Sequence, residues 1–272
     1  MEKVFKNKKI LITGHSGFKG SWLSLWLHQL GAIVSGISLY HPSNPSHYRI
    51  LNIKSSIKNY KEDINNSEKI DKIVNEIQPD FIFHLAAQPI VHESYANPLQ
   101  TFKTNAIGSA NVLNATLKLK KKCVIIMITS DKCYENIETF RGYREIDRLG
   151  GIDPYSASKA SAEIIINSYV KSILSMKKNI YVGIGRAGNV IGGGDWAEKR
   201  IVPDCVRSWK NNKKVEIRNP ISTRPWQHVL EPLSGYLLLA CELSKESKFN
   251  GEAFNFGPDS NRDYSVSEVV RE

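Results

Sequence analysis

The stretch that most constrains the fold is ILITGHSGFKGSWL at residues 10–23, where an apolar strand pattern runs into glycines and then into a helix pattern. Gly14, Gly17 and Gly20 recur every third residue within it. Glycines let the backbone turn tightly and approach a pyrophosphate, and the N-terminus of the following helix offers free N–H groups and a positive dipole end. In this strand–loop–helix context the spacing predicts a dinucleotide-binding loop, whereas three glycines alone would suit a merely structural turn.

Short apolar, β-branched runs alternate with longer stretches of helical periodicity along most of the chain. In KGSWLSLWLHQLG, for example, Trp22, Trp26 and Leu30 recur every fourth residue, and Gly31 suits the end of a helix. This alternation predicts an α/β fold, a doubly wound Rossmann-type parallel sheet covered by helices on both faces. The predicted strands are Ile10–Thr13, Ile33–Ile37, Phe81–Leu85, Val124–Thr129, Tyr181–Ile184 and Ala253–Phe256, and the other predicted helices are Ser67–Ile77, Phe102–Leu119 and Tyr155–Ser172.

The segment DPYSASK places Tyr155 and Lys159 one helical turn apart, because Asp153 suits an N-cap and Pro154 suits the first turn of a helix. A cation one turn away and the helix N-terminus would both lower the pKa of a tyrosine. Such a tyrosine is an acid–base group suited to a sugar hydroxyl that loses hydride from the same carbon. The alternative is a packed tyrosine beside a surface lysine, and the upstream glycine loop favours the catalytic interpretation.

Six motifs together resemble those of the extended short-chain dehydrogenase/reductases and, more narrowly, of the CDP-glucose 4,6-dehydratase family. The resemblance covers nearly the whole chain. In SDKCYEN, the CDP-glucose enzymes share Ser-Asp-Lys, where the related dTDP-glucose dehydratases read Thr-Asp-Glu. The six motifs are TGHSGFKGSWLSLWL, FHLAAQPIV, TSDKCYEN, DPYSASKASAE, RAGNVIGGGDWA and TRPWQHVLEPLSGYLLLA.

The resemblance implies a hydro-lyase with tightly bound NAD that converts CDP-D-glucose to CDP-4-dehydro-6-deoxy-D-glucose. Tyr155 would take the proton of the sugar 4-hydroxyl, Lys159 would tune Tyr155 and bind the nicotinamide ribose, and Ser130 would hydrogen-bond the 4-oxygen. Asp131 and Lys132 would assist the loss of water across C5–C6, one as acid and one as base. The residues alone leave that assignment open. Their other reading is a strand-end ion pair on the surface. The product would supply deoxysugar for surface polysaccharide, such as lipopolysaccharide O-antigen.

The resemblance also implies a set of cofactor contacts, although the second predicted strand ends in SGISLYHPSNP without the acidic residue that usually holds the adenosine ribose. No arginine replaces it, so NAD is favoured over NADP. Asp63 suits an adenine-side contact or a turn equally well. Asn105 is expected to shape the cofactor region or to serve in helix packing. The predicted cofactor-binding residues are Gly14, Gly17, Phe18, Lys19, Gly20, Asp63, Ile64, Leu85, Ala86, Ala87, Asn105, Thr129, Tyr155 and Lys159.

Loops rich in Gly, Pro and Arg follow residue 188, and they predict a small substrate-binding region. Asn189 and Arg224 are the expected diphosphate contacts, because arginine matches phosphate with paired donors. Arg200 and Arg218 are weaker candidates that would also suit solvated positions. The predicted division is 1–188 with 227–258 as the NAD-binding domain, and 189–226 with 259–272 as the substrate-binding region. The resemblance implies that this region continues beyond residue 272, so a truncated chain is expected.

The formal net charge of +10 suits an anionic ligand such as a nucleotide diphosphate. Its lysine clusters lack aromatic interleaving, so solvated helix and loop ends are favoured over a nucleic-acid surface. No apolar run reaches the length of about 18 residues that a membrane span needs, and no signal peptide is visible. A soluble, cytoplasmic protein is expected. The spacing of Cys and His predicts neither disulfides nor a metal site.

Two other functions remain open at the level of sequence. A nucleotide-sugar 4-epimerase of the same superfamily would share the glycine loop and the Tyr–Lys pair, but not an Asp–Lys pair poised for water loss. A truncated, non-catalytic NAD-binding protein would bind cofactor without turnover. The superfamily resemblance further implies a homodimer, formed through the Tyr–Lys helix and the helix in NPLQTFKTNAIGSANVL.

Overall fold

A computed structural model describes residues 1–41, 43–139, 141–217, 219–259 and 264–272 of the chain. The strands are β1 Lys9–Thr13, β2 Ile33–Ile37, β3 Lys58–Tyr60, β4 Phe81–His84, β5 Cys123–Ile128, β6 Ile180–Ala187, β7 Val190–Ile191, β8 Thr223–Arg224, β9 Gln227–His228, β10 Ala253–Phe256 and β11 Tyr264–Ser265. The α-helices are α1 Glu2–Phe5, α2 Phe18–Gln29, α3 His47–Ile50, α4 Ser67–Ile77, α5 Val91–Ala96, α6 Pro98–Phe102, α7 Gly108–Ala115, α8 Pro154–Ser168, α9 Ile201–Lys210, α10 Leu230–Lys245 and α11 Val266–Arg271.

Seven strands form one parallel sheet in the order β10-β6-β5-β4-β1-β2-β3. The strand order reverses beside β1, so the crossover helices cover both faces of the sheet. The carboxyl ends of β1, β4, β5 and β6 therefore meet at one edge. This arrangement confirms the predicted α/β, doubly wound Rossmann-type fold. Ligand-binding loops of open parallel sheets gather at this edge.

Two apolar layers sandwich the sheet. On one face, α2 and α10 contribute Leu23, Leu27 and Leu237 to a buried cluster. On the other, α4, α7 and α8 contribute residues such as Ile70 and Leu113 to a second buried cluster. Burying each such side chain fully stabilises the fold by about 1.5–3 kcal/mol relative to leaving it in water. The two layers fix the positions of α2 and α8 against the sheet, and these helices begin at the predicted site.

Local signals set the bounds of several helices. The Asn66 side chain accepts a hydrogen bond from the Lys69 amide at 3.2 Å and caps α4, which ends at Gln78 in the left-handed conformation. Gly31 lies just after the end of α2 with φ +76°. The helix therefore ends beside this glycine, as the sequence predicted. The first N–H groups of a helix have no backbone acceptor within the helix, and a capping side chain supplies one. Each such cap stabilises the folded protein by about 1 kcal/mol.

Several elements differ from the sequence-based expectation. The helix expected over Tyr155–Ser172 ends at Ser168 as α8, and π-helical geometry at Tyr169–Ile173 follows it. The helix expected over Phe102–Leu119 is divided, because π-helical geometry at Lys103–Ile107 separates α6 from α7 and a 3₁₀ turn at Thr116–Lys118 follows. Strand β3 was not predicted. Its three residues form the edge of the sheet beside β2, and an edge strand exposed to solvent lacks the apolar run that marks a central strand.

Residues from about 189 onward add two small two-stranded sheets. β7 pairs with β9 in parallel, and β8 pairs with β11 in antiparallel orientation. The loop at residues 192–194 packs against α2. The Trp22 indole N–H on that helix donates a hydrogen bond to the Gly193 carbonyl at 2.9 Å. No helix in the described ranges combines the length and the apolar character that crossing a membrane requires. All four cysteines are free thiols.

Candidate active site

The glycine loop joins β1 to α2 with little space around it. Gly14 adopts φ +74°, and a Cβ there would lie 2.7 Å from the Ala86 amide nitrogen. A Cβ at Gly20 would overlap the carbonyl oxygen of Gly14. Gly17 caps α2 with extended backbone, so the N–H groups of Phe18 and Lys19 in the first turn have no intrahelical acceptor. A tight turn that presents free N–H groups fits the pyrophosphate of a dinucleotide.

The end of β4 lies directly against this loop. The Leu85 amide donates to the Thr13 carbonyl at 3.0 Å, and the Ala86 amide donates to the Thr13 hydroxyl at 3.2 Å. Leu85, Ala86 and Ala87 are half-buried where β4 ends, so small side chains border the space above the glycines. The residues predicted on β4 are therefore brought together with the glycine loop.

His84, at the end of β4, is a buried packing residue with both ring nitrogens hydrogen-bonded. The Thr13 hydroxyl bonds its Nδ1 at 2.7 Å, and its Nε2 lies 3.0 Å from the Ser109 hydroxyl. Ser109 itself donates to the Asn105 carbonyl, so the network assigns the proton of a neutral His84 to Nε2. Burial, with the charge of Lys159 beside it, lowers the pKa of His84 to about 3.

A neutral polar network surrounds the end of β2, where the usual acidic residue is absent. The Ser38 hydroxyl accepts from the Ser16 amide at 3.2 Å and bonds His15 Nδ1 at 3.0 Å. His15 Nε2 lies 2.6 Å from the Asn59 side-chain oxygen. None of these side chains is a carboxylate or an arginine, so the network itself offers neither an acidic partner for a ribose nor an arginine for a 2′-phosphate.

Asp63 and Ile64 precede α4. The Asp63 carboxylate accepts from the Asn65 amide at 2.9 Å and from the Asn65 side chain at 3.0 Å, which makes it a turn-forming aspartate. The Ile64 side chain is buried against Gly108. Both side chains thus have structural partners, and contact with a cofactor stays a prediction for them.

Helix α8 begins as its sequence predicted. Asp153 caps it by accepting from the Ser156 amide at 3.0 Å, and Pro154 occupies the first turn. Tyr155 and Lys159 are both buried, 8% and 6% exposed, on the side of the helix that faces the sheet. The Lys159 ammonium points toward the end of β5, 3.5 Å from the Ile128 carbonyl oxygen. The two side chains therefore share one face at the carboxyl edge of the sheet.

The expected acidity of Tyr155 is not found with the protein's own groups. Burial raises the pKa of Tyr155 to about 12, although the neighbouring Ser130 hydroxyl lowers it in part. Burial also lowers the pKa of Lys159 to about 8. The prediction that Lys159 brings the phenol below its ordinary pKa is therefore wrong for the chain alone, because taking the phenolate out of water outweighs the charges around it.

Ser130, Asp131 and Lys132 follow β5 and lie beside Tyr155. The Ser130 hydroxyl donates to an Asp131 carboxylate oxygen at 2.9 Å and accepts from the Lys132 amide at 3.2 Å. Asp131 and Lys132 are half-buried, and within the described part of the chain no ion pair joins them. The surface ion pair considered from the sequence is therefore not observed.

Asn105 and Thr129 hold the surrounding elements together. The Asn105 side chain accepts from the Gln88 amide at 2.8 Å and donates to the Ser158 hydroxyl at 2.9 Å, which ties the loop after β4 to α8. The Thr129 hydroxyl donates to Glu163 at 2.6 Å. Both side chains are buried and already hydrogen-bonded, and direct contact of either with the cofactor stays a prediction.

The predicted substrate residues are only partly brought together. The Arg200 guanidinium pairs with Asp195 at 3.0 Å, and its charge acts on both Lys19 and Tyr155. Asn189 lies half-buried after β6, where its carbonyl accepts from the Gln227 amide at 3.2 Å. Arg224 is exposed and donates to the Thr223 carbonyl at 2.6 Å. Arg218 lies outside the described residues.

Several residues that sequence patterns did not single out border the same region. Tyr236 on α10 is fully buried, and its hydroxyl finds no hydrogen-bond partner among the described residues. The Lys19 ammonium lies 5.9 Å from the centre of the Tyr236 ring, and burial lowers the pKa of Lys19 to about 8. Glu163 and Arg186 form a buried ion pair behind Lys159. A buried charge, or a buried hydroxyl without a hydrogen-bond partner, can be recognised only after distant elements have packed together.

The arrangement combines three capabilities at one edge of the sheet. The glycine loop can bind a pyrophosphate, the Tyr155–Lys159 pair can exchange a proton, and the Ser130–Asp131–Lys132 segment adds an acid, a base and a hydroxyl donor. No cluster of three or more His, Cys, Asp and Glu side chains suited to a metal occurs among the residues that the structure describes.

Comparisons with known proteins agree with this geometry. The family model for GDP-mannose 4,6-dehydratase matches residues 11–256. CDP-glucose 4,6-dehydratase from Salmonella typhimurium is 44% identical over 273 residues, which cover 99% of this chain and 76% of that enzyme. The match extends from the glycine loop to α11 and so includes the whole of the candidate site.

Two solved structures illustrate the shared fold. Epimerase Mth375 from Methanothermobacter thermautotrophicus superposes with a TM-score of 0.86 at 22% identity, covering 99% of this chain and 77% of that one. A double mutant of DesIV, the dTDP-glucose 4,6-dehydratase of Streptomyces venezuelae solved with NAD and DAU bound, gives 0.80 at 19% identity, covering 96% and 78%. Dehydratases and epimerases thus use one architecture, and the fold alone does not separate them.

The family model spans most of the chain, and the Salmonella relative is similar over nearly all of it. Both matches include the glycine loop and the Tyr155–Lys159 pair, so these motifs occur together in one known family. The chain therefore belongs to the GDP-mannose 4,6-dehydratase family of nucleotide-sugar dehydratases, within the extended short-chain dehydrogenase/reductase superfamily.

Proposed function

We propose that the chain is an NAD-dependent hydro-lyase that converts CDP-D-glucose to CDP-4-dehydro-6-deoxy-D-glucose. The observation that carries this proposal is the Ser130–Asp131–Lys132 segment beside the buried Tyr155 and Lys159. An epimerase needs only the Tyr–Lys pair, whereas loss of water needs a further acid and base. The 44% identity to a CDP-glucose 4,6-dehydratase supports both the reaction and the sugar nucleotide.

The cofactor proposal rests on the glycine loop and on the neutral end of β2. Gly14, Gly17 and Gly20 would place the pyrophosphate against the first turn of α2, while the end of β4 borders the other side. These residues would hold NAD, which when bound would supply the acceptor for hydride from sugar C4 and the donor of hydride to C6. The sequence at the end of β2 has no arginine that could bind the 2′-phosphate of NADP. We therefore expect NAD as the cofactor.

The first half of the reaction is assigned to three side chains. Tyr155 takes the proton of the sugar 4-hydroxyl, and the Ser130 hydroxyl turns from Asp131 to donate its hydrogen bond to the same oxygen. Lys159 supplies a positive charge near the phenol and donors for the nicotinamide ribose. Because burial raises the pKa of Tyr155 to about 12, its activation requires more positive charge than Lys159 alone provides. The oxidised nicotinamide carries such a charge when it is bound.

The second half is assigned to Asp131 and Lys132. The 4-keto group makes the hydrogen on C5 acidic, so a base can remove it while an acid protonates the departing 6-hydroxyl. Asp131 is held by the Ser130 hydroxyl at 2.9 Å and lies near Gly188, whereas the Lys132 side chain makes no hydrogen bond within the described residues. We assign the base to Lys132, which acts in its neutral form and takes the C5 proton, since its side chain is free to move to C5. Asp131 is the acid, which acts in its protonated form and gives its proton to the departing 6-hydroxyl.

The substrate diphosphate is assigned to the region after β6. Asn189, Arg200 and Arg224 are the proposed contacts, and the charge of Arg200 already acts on Tyr155. This assignment follows the proposed division of the chain, in which 1–188 with 227–258 binds NAD and 189–226 with 259–272 binds the sugar nucleotide. The β8–β11 sheet supports a separate unit, because both of its strands belong to the substrate region, whereas the β7–β9 sheet links that region to the NAD-binding part.

A panel of sugar nucleotides tests the function. The purified protein is incubated with NAD and, in separate reactions, with CDP-, dTDP-, UDP- and GDP-glucose and with GDP-mannose. We expect a 4-keto-6-deoxy product from CDP-glucose, identified by mass spectrometry as loss of one water. A 4-epimer as product would assign an epimerase, and NAD binding without turnover of any of the five would assign a non-catalytic protein.

We also propose a homodimer formed through α6, α7 and α8. Leu99, Ile107 and Ile164 on these neighbouring segments are 85%, 51% and 60% exposed, which leaves an apolar helical face toward solvent. Analytical ultracentrifugation should show a dimer, and Ile164→Glu should shift it to monomer. Ile221→Glu, at an exposed position of the substrate region, should leave the dimer intact. A monomeric unmodified protein would refute the proposal.

By its resemblance to the CDP-glucose enzymes, we further propose a cytoplasmic location and a supply of deoxysugar for surface polysaccharide such as O-antigen. Deleting the gene and analysing the deoxysugar content of the cell surface would test the pathway: unchanged content would refute it.

A further inference from the structure

A buried ion pair lies directly behind the proposed catalytic residues. Glu163 on α8 and Arg186 on β6 have side chains that are 0% and 4% exposed. Arg186 Nε donates to Glu163 Oε1 at 2.8 Å, and a second donor from Nη2 reaches Glu163 Oε2. The pair is thus bidentate, which fixes the carboxylate in one orientation.

Each side chain of the ion pair is also hydrogen-bonded to a residue that flanks the Ser130–Asp131–Lys132 segment. The Thr129 hydroxyl, immediately before Ser130, donates to Glu163 at 2.6 Å. Arg186 Nη1 donates to the Tyr134 hydroxyl at 2.7 Å, just after the Asp131–Cys133 turn. The pair therefore joins α8 and β6 to both ends of the Ser130–Asp131–Lys132 segment.

The helical register brings Glu163 next to Lys159. Tyr155, Lys159 and Glu163 are separated by one turn each, and all three are buried on the same side of α8. The carboxylate therefore lies one turn beyond the ammonium group, on the side away from the phenol. An anion at that distance in a buried setting favours the charged form of the lysine.

Of the groups near Lys159, Glu163 is the one that can stabilise its positive charge. Burial lowers the pKa of Lys159, and Cys133 and Glu163 oppose that effect. Burial raises the pKa of the Cys133 thiol, so Cys133 is neutral near pH 7. The other charged or titratable groups around Lys159 are Lys19 in the glycine loop, the neutral His84 on β4, Tyr155 on α8 itself, and Arg186, which is paired with Glu163. Glu163 is thus the anion that remains.

A buried ion pair is not explained by stability. Its two charges must leave water, and replacement by apolar side chains of similar size is often neutral or stabilising. We propose that Glu163, held by Arg186, is a positioning residue of the reaction, which keeps Lys159 cationic beside Tyr155 and fixes Thr129 ahead of Ser130. This inference rests on the proposed function, since it assigns Glu163 a task in that same site.

The test uses three variants of the full chain. Glu163→Gln keeps the shape of the side chain and removes its charge, but leaves Arg186 unpaired and is expected to lower the melting temperature. Glu163→Gln/Arg186→Met removes both charges and is expected to recover much of that loss. Glu242→Gln, which removes an exposed carboxylate paired with Lys245, is the control for net charge.

The first measurement is the pH dependence of turnover with CDP-glucose and NAD. Loss of the Lys159 proton should limit activity on the alkaline side. Without the Glu163 charge this limit should move to lower pH, by about 1 unit in the double variant and by more in the single variant, where the unpaired Arg186 charge remains. The control should match the unmodified protein. A profile that returns to normal in the double variant as its melting temperature recovers would show a purely structural pair and overturn the proposal.

The second measurement needs neither cofactor nor substrate. The protein is labelled with ¹³C-lysine, the Lys159 signal is assigned by its absence in Lys159→Arg, and its titration is followed by NMR. The signal should titrate about 1 pH unit lower in the double variant than in the unmodified protein. An unchanged titration would overturn the proposal, even if the panel of sugar nucleotides showed no turnover and the proposed function failed.

Discussion

Tyr155 lies in a setting that opposes its ionisation. It is 8% exposed, and burial raises its pKa to about 12 despite the Ser130 hydroxyl beside it. Since a tyrosine base must be ionised when it takes a proton, the phenolate has to be stabilised by positive charge that arrives with the ligands or is maintained on Lys159. The site is therefore expected to become reactive on assembly with its cofactor rather than in the protein alone.

Replacing Tyr155 by phenylalanine tests this role at a single oxygen atom. The ring keeps its packing against the sheet, so Tyr155→Phe should fold and bind NAD as before. Turnover should fall by at least about 10²-fold, the contribution typical of a general base. Stopped-flow absorbance of the nicotinamide measures hydride transfer, and calorimetry measures NAD affinity. Turnover near that of the unmodified protein would remove Tyr155 from the mechanism.

Lys132 should matter only after oxidation at C4. Lys132→Ala removes the proposed base, so the first hydride transfer should proceed while loss of water stalls. A single turnover with CDP-glucose should therefore leave reduced nicotinamide on the protein, which its absorbance detects. Lys121→Ala, in a half-buried pair with Asp80 away from the site, provides the control. Complete product formation by Lys132→Ala would make Lys132 an ordinary surface charge.

His84 couples folding to pH through its burial. Its pKa falls from 6.5 to about 3 on folding, so between these values the unfolded chain binds a proton that the folded chain excludes. Folding stability should thus decrease as pH falls below 6.5, by an amount on the order of a few kcal/mol near pH 3. Above 6.5 both states are neutral at this residue and no effect is expected.

The variant His84→Gln isolates this contribution. Urea unfolding of the unmodified protein and of His84→Gln is compared from pH 7 to pH 4, and the stability of the variant should depend less steeply on pH. The exposed His28→Gln serves as the control. Equal slopes for His84→Gln and the unmodified protein would show that the buried imidazole does not contribute.

Local chemistry of single residues was the most predictable part of the site. Asp153 caps α8 and Pro154 opens it, because both act within one turn and need no tertiary partner. The acidity of Tyr155 was predicted wrongly, since its burial depends on packing between α8 and the sheet. Glu163 and Arg186 were missed for the same reason: one belongs to a helix, the other to a strand, and only the folded chain pairs them.

At the scale of elements, the glycine loop has the least tolerance for change. A Cβ at Gly20 would overlap the Gly14 carbonyl, so Gly20→Ala must move the backbone of the loop. We expect Gly20→Ala to lose about 1–3 kcal/mol of stability and to weaken NAD binding by at least about 10-fold. Gly142→Ala is the matched control, because a Cβ there meets no atom within 4 Å. Unfolding and calorimetry measure both effects, and equal behaviour of the two variants would contradict the proposed cradle.

Helix and strand bounds followed the sequence where periodicity and caps agreed. Helix α4 occupies Ser67–Ile77 as predicted, because an Asn66 cap precedes an amphipathic stretch. The π-helical segment Lys103–Ile107 was not predicted, and it places the Asn105 side chain between Gln88 and Ser158. Strand β3 escaped prediction because it pairs through its backbone at the sheet edge and buries little.

At the scale of the whole molecule, the parallel sheet brings residues far apart in sequence to one edge. The glycine loop follows β1, the small residues follow β4, the Ser130–Asp131–Lys132 segment follows β5, and α8 lies across the end of β5. The alternation of strands and helices predicted this assembly, since parallel strands share one carboxyl edge. The proposed sugar-nucleotide contacts were less predictable because Asn189, Arg200 and Arg224 lie on loops and short elements without a repeating pattern.

The central claim is that one site removes hydride from C4, eliminates water and returns the same hydride to C6. CDP-glucose carrying deuterium at C4 tests it directly, with the product examined by NMR and mass spectrometry. We expect a 4-keto-6-deoxy product with deuterium at C6, because the hydride stays within the site between its two transfers. Deuterium retained at C4 of an epimerised sugar, or a dehydrated product whose C6 carries no deuterium, would contradict the proposed mechanism.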